Sequence, residues 1–208
     1  MIVCRLIRFL ALAAAALALA SCGSGRPIHY YTVEVPPAPA AAVAAPESAV
    51  TVLIGRIGAP EILQDAPIAY RTGANEIGVY GYHQWVEPPT RMVRVMLLRR
   101  LRTEGGFKSV MELGSSAQGD FILQGRLYEF EEVDSPAITA LVSMEFELID
   151  RKSRQTVWTH FYSRTEPVQG QGVPDVVAAL QRNLVRGLDE VASGLNAYLA
   201  AHHTDGKS

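Results

Sequence analysis

The sequence predicts a two-layer α+β fold: a mostly antiparallel sheet with two main helices packed on one face. Three observations predict it. A single apolar stripe at helical spacing runs from Val177 to Tyr198, residues 138–150 alternate apolar and polar, and the elements come in the order strand, hairpin, helix, several strands, helix. Such segregation of helices from antiparallel strands is the mark of a two-layer α+β domain.

The first core element is the run from Ala49 to Arg56, apolar and rich in β-branched residues and bounded by Gly and Pro60, which suits a strand buried on both faces. Ile68 to Arg71 and Ile77 to Tyr82 read as two short strands of a hairpin, since Thr72-Gly73-Ala74-Asn75-Glu76 supplies turn chemistry between them. A helix is expected to start at Glu87-Pro88-Pro89-Thr90, where prolines occupy first-turn positions whose amide hydrogens would be unpaired anyway. Val93, Met96, Leu97, Arg100 and Leu101 give it one mostly apolar stripe, Arg91, Arg94, Arg99 and Arg102 make the rest basic, and Gly105-Gly106 ends it.

A short strand over Phe107 to Leu113 precedes three long ones: Asp120 to Val133, Ile138 to Asp150, and Thr156 to Pro167. In the middle one Ile138, Ala140, Val142, Met144, Phe146 and Leu148 alternate with Thr139, Ser143, Glu145 and Glu147, the pattern of a half-buried antiparallel strand. The final element, Asp175 to about Ala201, steps through Val177, Leu180, Leu184, Leu188, Val191, Leu195 and Tyr198, and so is a long amphipathic helix. Residues 202–208 read as a flexible tail.

The N-terminus sets the compartment. Arg5 and Arg8 form a positive n-region, and Phe9 to Ala20 is an apolar run of Leu and Ala. That run is well short of the roughly 20 residues a membrane-spanning helix needs. Leu19-Ala20-Ser21-Cys22 places small residues before a cysteine, the pattern of the bacterial lipobox, so residues 1–21 are expected to be a signal peptide and Cys22 the lipidation site. Cys4 would leave with the leader, and the remainder would hold no thiol for a disulfide, a zinc site or a nucleophile. Removing residues 1–21 takes Arg5 and Arg8 from the 19 basic side chains and none of the 21 acidic ones, leaving a formal charge of −4. Such a charge offers no basic footprint for nucleic acid.

Pro36 to Ala49 alternates Pro and Ala without periodicity and reads as a tether within residues 22–49, ahead of a domain expected over 50–201. Extended, its length of chain would lift that domain about 40 Å from the anchor. His29-Tyr30-Tyr31-Thr32-Val33, rich in strand formers, offers the alternative of a first strand before the tether.

Motifs for catalysis are missing from the sequence. There is no Gly-x-Ser-x-Gly, and Gly114-Ser115-Ser116 reads as a loop. His29, His83 and His160 are isolated and His202-His203 lie in the tail, so no metal site is expected. Gly73-Ala-Asn-Glu-Ile-Gly78 has the first spacing of a phosphate loop but lacks the Lys and Ser/Thr that reach phosphate and magnesium. Glu129, Glu131 and Glu132 are expected to be solvated. The one outstanding cluster is Tyr80-Gly81-Tyr82-His83-Gln84-Trp85-Val86-Glu87-Pro88-Pro89 at a strand-to-helix corner, where aromatics either close a core or present a binding anchor. Tyr82, Trp85, Glu87 and Pro88 are therefore the candidate partner-binding or fold-closing residues.

These features together resemble the auxiliary lipoproteins of ABC-type transport systems that work with MCE-domain proteins. The resemblance rests on Tyr30-Tyr31-Thr32-Val33, a Val/Ile strand ending at Pro60, Ile68-Ala69-Tyr70-Arg71, the His83 to Pro89 corner, the Gly125-Arg126-Leu127 strand and the Trp158 strand. The family's usual corner is Trp-Ala-Glu-Pro-Leu; here Trp85, Glu87 and Pro88 hold while Val86 and Pro89 depart. The resemblance implies a non-catalytic, cofactor-free lipoprotein facing the periplasm, with an MCE-domain protein and ABC transporter subunits as partners in lipid transport. Because Gly23 rather than Asp follows the cysteine, outer-membrane attachment is expected. The competing reading is an envelope scaffold lipoprotein that binds peptidoglycan or an outer-membrane assembly partner.

Overall fold

In the computed structural model, residues 26–34, 50–114 and 118–203 are described. The elements run β1 (His29–Tyr31), β2 (Thr51–Gly58), a 3-10 turn (Glu61–Leu63), β3 (Pro67–Gly73), β4 (Glu76–Trp85), α1 (Pro89–Glu104), β5 (Ser109–Glu112), β6 (Phe121–Asp134), β7 (Ile138–Asp150), β8 (Thr156–Pro167) and α2 (Val173–His203). The eight strands form one sheet and the two helices pack against it, so the fold is α+β as the sequence indicates.

The long ladders, β6 with β7 and β7 with β8, are antiparallel, as is the β3–β4 hairpin. The short ladders of β1 with β4, and of β2 with β5 and β6, are parallel, and so is that of β3 with β6. The parallel set explains the composition of β2. It lies between β5 and β6, and Thr51 to Gly55 are all buried, which is why its sequence is an apolar run rather than an alternation.

β6 organises the sheet. β7 follows one of its edges over nearly the whole length, whereas the other edge is shared end to end: Phe121 to Arg126 pair with β2, and Glu131 to Val133 pair with β3. A register shift between Leu127 and Glu129 leaves Tyr128 without a ladder partner on β7, a bulge that lies between the two shared segments. At Gly125 an added Cβ would stand 2.6 Å from the Phe146 ring, so only glycine lets that ring lie across β6.

The helices cover the face that carries Leu123, Leu127, Phe130, Val142, Met144, Phe146 and Leu148, all essentially inaccessible. α1 packs on β2 and β5, and α2 on β7 and β8. In α1 the amides of Arg91 and Met92 bond to the carbonyl of Pro88, with Pro89 as the first helical residue, and Gly105 leaves the helix at φ 77°. Along α2, Leu180, Leu184, Leu188, Val191 and Leu195 are buried; Leu199, one turn beyond Leu195, takes the buried place expected for Tyr198, which is half-buried. Arg100, the charged member of the α1 stripe, bridges to Asp189 of α2 at 2.5 Å and to Glu104 at 3.0 Å. Both bridges are partly exposed, so each contributes about 1 kcal/mol or less.

One buried polar group fixes α2 on the strands. Asn183, fully buried, donates from Nδ2 to the carbonyls of Ala140 (3.0 Å) and Arg164 (2.7 Å) and accepts from the Tyr162 hydroxyl at 2.6 Å. A helix side chain thus bonds to β7 and β8 at once, which sets the axial position of α2 as apolar packing alone would not.

The folded unit starts before residue 50, which corrects the expected boundary. β1 pairs with β4 in register His29 with His83 and Tyr31 with Trp85, and Val33 is buried in the core. The Pro/Ala tract is therefore flanked on both sides by residues of one domain and does not separate that domain from Cys22. Of the expected tail over 202–208, His202 and His203 close α2; residues 204–208, residues 35–49 with the tract, residues 1–25 including Cys22, and Ser115 and Ser116 lie outside the described residues.

Replacing Asn183 with Ala removes its bonds to the two strand carbonyls and leaves the Tyr162 hydroxyl only the backbone carbonyl of residue 183, 3.0 Å away, and is expected to cost about 2–3 kcal/mol in urea unfolding. Tyr162→Phe, which spares the two carbonyl bonds, is expected to cost about 1 kcal/mol. Equal losses would show that Asn183 does not have the central place given to it.

Candidate functional site

The corner marked by the sequence is built by an irregular stretch of β4. Pro67 pairs with Gln84 and Ala69 with Val79, so Tyr80 to His83 stand opposite Ile68 alone. The strand bows out there and returns to the ladder at Gln84 and Trp85. The amide of Trp85 donates to Ala66 O at 2.6 Å, and that of Val86 to Tyr31 O at 2.8 Å, tying the corner to both β1 and the segment before β3.

The four candidates of the corner have different surroundings. Trp85 is 1 % exposed, with its ring 5.4 Å from that of Phe130. Pro88 is the N-cap of α1 and supplies the carbonyl that receives its first amides. Glu87 is half-exposed and bridges to Arg91 one turn along at 2.9 Å. Tyr82 stands 45 % exposed, and the Arg26 guanidinium lies over its ring at 5.5 Å.

The bowed segment also gathers residues that are far apart in the chain. The His29 and His83 rings stack at 5.1 Å, and Tyr31 Oη and His83 Nδ1 share a hydrogen bond of 2.8 Å. The Tyr80 ring lies 5.0 Å from Tyr70 and 5.7 Å from His83, and its hydroxyl donates to Glu132 at 2.7 Å. Burial pushes the Tyr80 hydroxyl well above the ordinary tyrosine range, and the bond to Glu132 adds to the rise. Burial likewise raises Tyr31. Both phenols therefore stay protonated at neutral pH, and Tyr80 acts as a hydrogen-bond donor to Glu132. In the sequence His29 and His83 looked isolated, because the parallel register of β1 on β4 is what joins them; strand propensity over residues 29–33 was the only available signal.

The expectation of solvated glutamates fails for two of three. Glu131 is 1 % and Glu132 5 % exposed. They project to opposite faces of β6, Glu132 beneath Tyr80 and Glu131 against Arg71, whose Nε is 2.6 Å away. Period-two alternation put all three on a wet strand, but β3 and β4 pack beside this half of β6 and supply a partner for each. Burial pushes the Glu131 carboxyl above its ordinary range, and the nearby Arg71 charge pulls it back only in part.

No group of three or more His, Cys, Asp or Glu that could hold a metal ion occurs among the described residues. No helix among them is long and apolar enough to cross a membrane. What the fold and corner define is a domain whose N-terminal strand is stitched into its sheet edge, with an aromatic and histidine cluster behind that strand and an exposed tyrosine beside it.

The chain belongs to the family of ABC-type transport auxiliary lipoprotein components, whose model matches residues 31–192. The match opens at Tyr31, the last residue of β1. No curated protein matches the chain. The fold is similar to that in the crystal structure of a protein from Xanthomonas campestris, 21% identical with a TM-score of 0.71 over 82% of this chain and 95% of that one. It is also similar to that of an uncharacterised protein, 14% identical with a TM-score of 0.66 over 82% and 99%. A hypothetical protein from Chlamydia trachomatis shares the fold at 9% identity, with a TM-score of 0.52 over 74% and 100%.

Two measurements check this account of the corner. Trp85→Ala is expected to cost about 3–5 kcal/mol of stability, and Tyr82→Ala no more than about 0.5 kcal/mol; thermal melts of both variants would show whether the corner divides in this way. For Glu131 the folded state holds its proton more tightly than the unfolded chain, so its contribution is complete at acid pH and is lost as pH rises above the ordinary glutamate range. Glu131→Gln is accordingly expected to flatten the fall in unfolding midpoint between acid and neutral pH, and a midpoint difference that does not change with pH would refute the raised carboxyl.

Proposed function

We propose that the chain is cleaved before Cys22, acylated there, and held at the periplasmic face of the outer membrane as a non-catalytic auxiliary of an MCE-domain, ABC-powered lipid transport system. The observation that carries the reading is family membership across residues 31–192. The lipobox-like Leu19-Ala20-Ser21-Cys22 and Gly23 after the cysteine support the anchor and its destination.

Physically, such a component needs position more than chemistry. At about 0.8 kcal/mol per buried CH₂, two or more acyl chains make release from the bilayer slow. Confinement to the membrane then raises the effective concentration of the domain near any partner held there.

Crosslinking in intact cells followed by purification is expected to recover an MCE-domain protein together with transporter subunits. Recovery of peptidoglycan or an outer-membrane assembly protein in their place would favour the scaffold reading and sink this one. Cys22→Ser is expected to shift the protein from the membrane fraction to another fraction.

A further inference from the structure

Large apolar side chains exposed on this domain are unevenly spread. Of the nine among the described residues, six (Ile28, Tyr30, Ile77, Val79, Tyr82 and Val86) lie on β1 or β4 or directly beside them. Alternation places most of these on one face. Tyr31 and Trp85, adjacent in the β1–β4 register, turn toward the core, so Tyr30 between His29 and Tyr31 points to the face opposite the helices. Tyr30 is 63 % exposed there. Arg26, stacked over Tyr82, adds a cation to the same patch.

The chain before β1 says what meets this face. Only Gly23, Ser24 and Gly25 separate Cys22 from Arg26. Consecutive Cα atoms are about 3.8 Å apart, so Arg26 can stand no farther than about 15 Å from Cys22. A diacylglycerol on the Cys22 thiol places its glycerol at the boundary of headgroups and acyl chains, and a connection of at most about 15 Å lets Arg26, with Tyr82 beside it, reach a headgroup layer roughly 5–8 Å thick. The residue types suit that layer: tyrosine rings prefer the membrane interface with their hydroxyls toward water, and arginine pairs with lipid phosphate.

We propose that the β1–β4 edge, through Arg26, Ile28, Tyr30, Val79 and Tyr82, rests in the headgroup layer of the same bilayer that holds the lipid on Cys22. The inference depends on acylation of Cys22 and adds an orientation to it. The domain meets the bilayer at this end of the sheet, and β8 lies five strand spacings from β1 along β1-β4-β3-β6-β7-β8, about 24 Å measured across the strands. The docking of β1 is what makes this orientation definite, because a long spacer between lipid and domain would have left every face equally free to meet the membrane.

The test uses the full chain, processed in cells and reconstituted in vesicles of phosphatidylethanolamine and phosphatidylglycerol. With Cys4 removed and Cys22 acylated, Tyr30→Cys or Ser163→Cys supplies one free thiol for an environment-sensitive fluorophore; Ser163 is exposed on β8. The proposal expects lipid-borne quenchers to reduce emission from residue 30 by about twofold or more, with little effect at residue 163. Equal quenching at the two sites, or none at residue 30, would overturn it. A label at residue 30 shielded from aqueous quencher but not reached by lipid-borne quencher would assign the face to a second copy of the chain and overturn it as well. The mass of the N-terminal peptide distinguishes the two levels of failure. An unmodified Cys22 removes the anchor and this proposal together, while an acylated Cys22 with no quenching at residue 30 removes this proposal alone.

Discussion

The architecture depends on how β6 is shared. One 14-residue strand bonds to β7 along one edge and offers the other to β2 and then β3 in succession, with a bulge at Tyr128 where the ladder changes hands. Without that division the β3–β4 hairpin would have no edge to join. Without the hairpin, β1 would have no partner, and the N-terminus would not be fixed to the domain. The sheet therefore has two working ends: the β5–β2 end, where α1 packs, and the β3–β4–β1 end, where the chain arrives from Cys22.

The consequences reach the core as well as the surface. Glu131 and Glu132 are buried because β3 and β4 close over the second half of β6, and each is met by one group, Arg71 and Tyr80 respectively. Burying a carboxylate is costly unless it is paired or protonated. At Glu131 the Arg71 ion pair offsets that cost only in part, as its raised carboxyl indicates. On the helix side, Asn183 plays the matching part. It fixes α2 on β7 and β8 by directional bonds, whereas Leu180, Leu184, Leu188 and Val191 supply the area.

A domain of this kind has its identity in where it is held and what it touches. The Pro/Ala tract, which in sequence looked like the spacer that would free the domain from its anchor, joins β1 to β2 and leaves the N-terminal strand on the sheet. Three residues rather than the tract then separate Cys22 from Arg26, the first described residue. For an auxiliary component of a transport system, such a short connection trades reach for orientation.

The sequence by itself determined most of the elements and the fold class. The alternation of residues 138–150 and the stripe from Val177 to Leu195 identify their elements because period two and period 3.6 are local properties of the chain, and β7 spans the residues it was expected to span. The apolar run of β2 correctly signalled burial on both faces. Only the tertiary structure decided what those periods cannot encode: that β1 joins β4 and so brings His29, Tyr31 and His83 together, that Trp85 is buried while Tyr82 stays exposed three residues away, and that two glutamates of an apparently wet strand lie inside. Each of these follows from which strand lies beside which. Pairing across tens of residues leaves no periodic trace in the sequence, since a strand's own alternation is the same whichever neighbour covers it.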